Sequence, residues 1–193
     1  MTAAGFGNIM LQTDVARSDE REAITVERWT MQPAFIEKER MILAGFGFFG
    51  DPFATQGGWT EENEIGRLWQ RLLAFLTARC PEWMGREPMY EVHIQHPETA
   101  RIGHFEVFAG LEVAQVADVP VELLVKVLPP ATYAVFTFAG QQIVSDWPRL
   151  IQEWLASTGR HAVHGYEFQL YDRRFKGMDR IDESVIDVYV PVA

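Results

Sequence analysis

The chain has 193 residues, 48% apolar, 23% charged and 12% aromatic, a balance that excludes a disordered, collagen-like or coiled-coil chain and is enough for a sizeable core. Its 27 Asp and Glu against 17 Lys and Arg leave a net charge of -10, which argues against direct nucleic-acid binding, because that affinity comes from clustered basic side chains. Cys80 is the single cysteine, so no intramolecular disulfide forms; with no membrane-length apolar run and no basic signal region, the protein is read as soluble and cytoplasmic.

Residues 1–34 include a polar, charge-mixed stretch without sustained periodicity and are read as an N-terminal arm; residues 35–193 are read as one domain. From Phe35, FIEKERMILAGFGFFG is a strand candidate, followed by the loop DPFATQGGWT, in which Trp59 is a candidate lid. Thr60, with Glu61, Glu62 and Asn63, opens a helix through EENEIGRLWQRLLAFLTARC, where Ile65, Leu68, Trp69, Leu72, Leu73 and Leu76 recur at helical steps. Pro81 ends it. MYEVHIQ and HFEVFAGLEV follow as strands around the turn-rich HPETARIG. ATYAVFTFAG is then a strand, QIVSDWPRLIQEWLAST a helix started by Ser145 or Asp146 with Pro148 in its first turn, and YEFQLYD and SVIDVYVPV two more strands.

The order strand, helix, strand, strand thus occurs twice, over halves at about 35–118 and 119–193. Trp69, Arg71 and Leu72 match Trp147, Arg149 and Leu150 at an offset of 78 (147 minus 69), and Tyr90 and Glu91 match Tyr166 and Glu167 at 76 (166 minus 90). The expected fold is therefore α+β, built from duplicated strand-helix-strand-strand units with antiparallel sheets and pseudo-two-fold symmetry. One helix per unit covers one sheet face, so the remaining faces meet in a filled core or enclose a central cleft.

Strand alternation assigns Tyr90, Val92 and Ile94 to the helix and Glu91, His93 and Gln95 to the cleft. It likewise puts Tyr166, Phe168 and Leu170 under the helix, and Glu167, Gln169 and Tyr171 in the cleft with Asp187, Tyr189, Glu106, Phe108 and Glu112. Carboxylates among rings suit an organic cation; the same pattern is also what the solvated face of a one-sided sheet shows. His93 with His96, and His161 with His164, are spaced by three but lack further ligands, so no metal and no cofactor is expected. Cys80 has no adjacent histidine and is read as structural, the glycines match no phosphate-cradling pattern, and Trp69, Trp147 and Trp154 are read as core anchors.

The strings PPATYAVFTFAG, DWPRLIQEWLAST, YEFQLYDRRF and VIDVYVPV, in that order, resemble the gyrase-inhibitor-like (GyrI-like) effector-binding family, including its stand-alone integron-cassette members. LWQRLLAFL, MYEVHI and FAGLEV extend the likeness more loosely across the first half. The resemblance implies the duplicated fold found above and a central pocket for small, often cationic or hydrophobic molecules. Where the family carries its pocket acid, in a Phe-Glu-x-Tyr motif, this chain has Gln169; Glu167 is the expected replacement, and the closing-strand tyrosine carries over to Tyr189.

The resulting expectation is a stand-alone multidrug-type small-molecule binder, an effector sensor or drug-sequestering protein linked to transcription regulation. Its ligand-binding set is Glu167, Gln169, Tyr189, Glu106, Phe108 and His93, with no catalytic residue assigned. The part before Phe35 is too short for a complete DNA-binding domain and is not basic, so no direct nucleic-acid or membrane contact is expected. A protein partner or a homodimer stays open. The alternatives are a hydrolase of cyclopropane-bearing genotoxins, with Glu167 or Glu106 as general base, and a gyrase-inhibiting or other protein-partner module.

Overall fold

The computed structural model describes residues 32–193 except Gln56 and Trp59, so the lid expected of Trp59, and residues 1–31 of the arm, lie outside the described residues. Eight strands appear: β1 (Ala34–Lys38), β2 (Met41–Gly50), β3 (Met89–Ile94), β4 (Phe105–Glu112), β5 (Leu124–Leu128), β6 (Ala131–Ala139), β7 (Tyr166–Tyr171) and β8 (Val185–Pro191). Three α-helices accompany them: α1 (Glu64–Arg79), the single turn α2 (Thr99–Ile102) and α3 (Trp147–Thr158).

Helix α1 starts later than Thr60, because the Asn63 side chain accepts the Gly66 N–H at 2.9 Å and so caps the first turn. Leu68, Leu72 and Leu76, one turn apart, are its buried line, each contributing about 1.5–3 kcal/mol by leaving water. Helix α3 takes Pro148 in its first turn, ends on Gly159 in the left-handed region and buries Trp147, Ile151 and Leu155.

The strand read from Phe35 is two strands, since Glu39 and Arg40 interrupt it; Pro129 and Pro130 likewise separate β6 from β5, a strand the sequence reading missed. All eight strands form one antiparallel sheet in the order β1-β6-β8-β7-β3-β4-β2-β5, so the sheets of the two units are continuous. Exchanging β1 with β5, β2 with β6, β3 with β7 and β4 with β8 reverses this order and leaves it unchanged, which is the expected pseudo-two-fold. Its axis passes between β3 and β7. The first strand of each half pairs in the other half: β1 with β6, and β5 with β2.

That exchange forces the sheet to curl. Lys38 and Met41 are three Cα steps apart, at most about 11 Å. A flat sheet would put β1 and β2, six strand spacings apart, at about 29 Å. Beside this curl, β2 and β4 approach closely where Gly45 pairs with Gly110: a Cβ on Gly45 would lie 2.0 Å from the Ala109 carbonyl oxygen, and one on Gly110 would lie 2.4 Å from that of Ala44. The curl also explains how Lys126, opposite Leu43 in register, reaches Glu106 at 2.6 Å.

The curl corrects the expected face assignment. Tyr90, Val92, Phe168 and Leu170 do not lie under a helix; with Phe108, Tyr133, Tyr189, Met41, Leu43 and Leu128 they fill the inside of the curled sheet. Phe168 stacks on Tyr189 with centroids 4.6 Å apart and 12° between planes, and Tyr133 meets Phe168 edge-on at 5.3 Å. The helices pack on the outer face, α1 over Val107, Ala109 and Leu111 of β4, and α3 over the outward-turned side chains of β6 and β8 such as Phe136, Ile186 and Val188. The apolar side chains of β3 and β7 point away from the helices because the sheet, by curling over itself, is their cover.

Candidate functional site

With α1 over β2 and β4 and α3 over β6 and β8, the central strands β3 and β7 carry their polar face between the two helices. In register, Glu91 stands opposite Gln169, His93 opposite Glu167 and Met89 opposite Tyr171. The helix offset of 78, carried onto these strands, makes Gln169 the symmetry equivalent of Glu91 (169 minus 91), so a residue and its equivalent face each other across the axis. This corrects the offset of 76 expected for these strands.

Glu91, 4% exposed, is the hub of the seam. Its Oε2 accepts the Trp69 indole N–H at 2.5 Å, and its Oε1 accepts the Gln169 amide at 3.2 Å and lies 2.8 Å from His93 Nε2. Gln169, 2% exposed, accepts the Tyr171 hydroxyl at 2.7 Å on Oε1. The Trp69 ring stands edge-on to Tyr171 at 5.2 Å, Tyr171 meets Phe175 at 5.0 Å, and the Phe105 ring lies 5.3 Å from His93. The result is a carboxylate held by donors and walled by aromatic rings.

Glu167 is the more accessible acid, with 28% of its side chain exposed, and its nearest cationic group is His93 Nδ1 at 4.0 Å. Burial raises its carboxyl above the ordinary range, partly opposed by His93. For His93, burial alone would favour the neutral ring, but the hydrogen bond and charge of Glu91, then the charge of Glu167, hold its pKa above 6.5. Burial, then the Glu91 charge, pushes the Tyr171 hydroxyl well above its usual pKa, so it stays a donor.

Of the expected ligand set, Glu167, Gln169 and His93 come together in this seam. Tyr189, Glu106 and Phe108 do not: their strand partners are Phe168, Ile94 and Val92, all on the inner face. Phe108 and Tyr189 are packed core residues at 0% and 6% exposure. Glu106 pairs with Lys126 and with His96 Nε2 at 3.3 Å, and borders a groove of about 480 Å³ with Phe49, His96, Glu98 and Ile102. A second groove, of about 340 Å³, runs along Ile94, Lys126, Leu128, His164 and Tyr166.

Two seam residues were missed as ligand candidates. Trp69, a core anchor by its helical spacing, lies off the buried line of α1 and donates to Glu91; its indole N–H, which needs a partner when covered, is the signal in the sequence. Glu91 was placed on the right strand face but left out of the set, although the helix offset pairs it with Gln169. Among the described residues, no group of three or more His, Cys, Asp or Glu is arranged to hold a metal ion, and no helix is long and apolar enough to cross a membrane.

Comparison with known proteins agrees with this architecture. The transcriptional regulator BrlR of Pseudomonas aeruginosa is 29% identical over 182 residues, covering 90% of this chain; the chain spans 61% of that regulator's length. The structure of SAV2435 bound to tetraphenylphosphonium superposes with a TM-score of 0.63 at 15% identity, over 84% of this chain and 94% of that one. The integron cassette protein VCH_CASS2 from the mobile metagenome of Vibrio cholerae gives a TM-score of 0.55 at 16% identity, over 84% and 97%. At such identities these likenesses establish the fold. The model of the integron-associated effector binding proteins, Cass2, matches residues 35–192, and the chain belongs to that family of effector-binding domains.

Proposed function

We propose that this protein binds organic cations with aromatic substituents in the seam between α1 and α3, as an effector-sensing or sequestering module. The observation that carries the reading is the buried Glu91 carboxylate, with Glu167 beside it, inside a ring of Trp69, Tyr171, His93 and Phe105. Among the described residues, no Lys or Arg forms a salt bridge with either acid. Two carboxylates against one imidazole leave negative charge to be met by a ligand, and the rings supply stacking and cation-π attraction of about 0.5–2 kcal/mol each. The tetraphenylphosphonium bound to SAV2435 is a ligand of this chemistry, and the likeness to a transcriptional regulator supports a sensing role.

Glu91 and Gln169 are nearly inaccessible, so a ligand enters by swinging Trp69 off Glu91, trading one hydrogen bond for ring contacts. Tetraphenylphosphonium titrated calorimetrically into the protein tests this. Binding is expected, weakened about tenfold or more in Glu167→Gln and in Glu91→Gln; unchanged affinity in both variants refutes the assignment.

A second reading, hydrolysis of a strained electrophile, draws on the raised carboxyl of Glu167, which suits it to take a proton from water. Mass spectrometry of incubated ligands separates the two. A product that gains one water and disappears in Glu167→Gln favours the hydrolase.

A further inference from the structure

Resting on the reading of the seam as an organic-cation site, we propose that the protonated His93 is the counter-ion of the empty seam and that a permanent organic cation binds by displacing its proton. Binding is then a cation-for-proton exchange, and affinity depends on pH through one named imidazole.

The geometry around His93 carries the inference. Its Nε2 lies 2.8 Å from Glu91 Oε1 on its own strand, and its Nδ1 lies 4.0 Å from Glu167 Oε1 on β7. From β4 it meets Phe105, at 5.3 Å between rings, and its register partner Val107, neither titratable. From α1, Trp69 reaches Glu91 with an uncharged N–H, and from β7 Gln169 and Tyr171 complete the network as neutral donors. Among the described residues, His93 is therefore the one basic group within salt-bridge distance of either acid. Nε2 of a protonated ring has its acceptor in Glu91, Nδ1 faces the Glu167 carboxylate at ion-pair distance, and the acids hold the ring's pKa above 6.5.

An entering cation cannot share this space with an imidazolium at little cost, because like charges at a few ångströms in a water-poor site repel strongly. The Nε2–H is committed to Glu91. The proton on Nδ1 is the one released to buffer, leaving a neutral ring that still donates to Glu91 while the ligand's charge takes the imidazolium's place beside Glu167. One cation enters and one proton leaves, so the net charge of the seam is unchanged.

Tetraphenylphosphonium has no proton of its own and is the right probe. Calorimetry at about pH 6.5 in buffers of different ionisation enthalpy should report release approaching one proton per ligand. The apparent Kd should tighten by up to about tenfold for each unit by which pH rises, over the range below the elevated pKa of the ring. In His93→Gln, which keeps an N–H donor for Glu91 but loses the ring, the binding that remains should show neither the release nor the pH slope. Since Glu167 also titrates above its ordinary range, the NMR titration of the His93 ring in unsubstituted protein decides which group gives up the proton: saturation should lower its pKa by about one unit or more. Binding without proton release, full release in His93→Gln, or an unmoved imidazole overturns the exchange while leaving the cation site standing. No binding of the probe at all overturns both.

Discussion

Replacing Glu91 with alanine removes the acceptor on which the seam converges, and the structure sets the cost. Trp69 Nε1 and Gln169 Nε2 lose their acceptor together, and His93 loses the 2.8 Å partner that favours its protonated form. A buried donor left unpaired costs about 1–3 kcal/mol. Gln169 is 2% exposed and pays in full, whereas Trp69 is only partly covered and recovers part from water. The expected loss is about 2–4 kcal/mol. Glu91→Gln is milder: its carbonyl can keep the indole N–H while the Gln169 amide turns over to accept, so about 1 kcal/mol is expected. Urea unfolding at neutral pH, followed by tryptophan fluorescence and far-ultraviolet circular dichroism, measures both. A loss below about 0.5 kcal/mol in Glu91→Ala would refute the account of Glu91 as a hub, as would equal losses in the two variants.

Gly110→Ala should force β2 and β4 apart, since its Cβ would sit 2.4 Å from the Ala44 carbonyl oxygen, where only backbone movement gives relief; a fall in melting temperature of more than about 5 °C is expected, and an unchanged one counts against the close approach at Gly45 and Gly110. Arg174→Ala should cost about 1–3 kcal/mol in urea unfolding, because Asp187, 9% exposed, keeps only the Thr137 hydroxyl once the 2.6 Å guanidinium contact is gone; Asp187→Asn in the same background should recover part of it. The folded pKa of His93 is raised above 6.5, so its stabilisation is complete below that value and is lost as pH climbs through the folded pKa. Unfolding measured at about pH 6 and about pH 8 should therefore show His93→Gln losing less stability at the higher pH; the opposite order would mean that the ring is held neutral. Glu167, also raised, acts in the same sense over a lower window, from 4.5 upward through its folded value.

Much was legible in the sequence because it depends on local chemistry. Pro81 marks the end of α1, Pro148 the first turn of α3, and the repeated tryptophan-helix and polar-strand words exposed the duplication and hence the axis. Alternation along β3 and β7 put Glu91, His93, Glu167, Gln169 and Tyr171 on one face, where the structure also has them. What alternation lacks is a reference for which face looks inward. That depended on the two-residue links Glu39-Arg40 and Pro129-Pro130, which tie opposite ends of the strand order together and roll the apolar face inside. Once rolled, the sheet puts Tyr189 and Phe108 into a closed aromatic core and leaves the polar seam to the helices.

The same limit explains Glu91 and Trp69. Each looks ordinary in its own element, an acid on an alternating strand and an indole beside a leucine line, and they are 22 residues apart. By itself, then, the sequence determined both long helices, most of the strands, their repetition and the polar face of each central strand, because prolines and side-chain periods act within a few residues. The tertiary structure decided which face the helices cover and which acid meets which donor, because both follow from strand register and from the closure of the sheet, contacts between segments that no local pattern encodes.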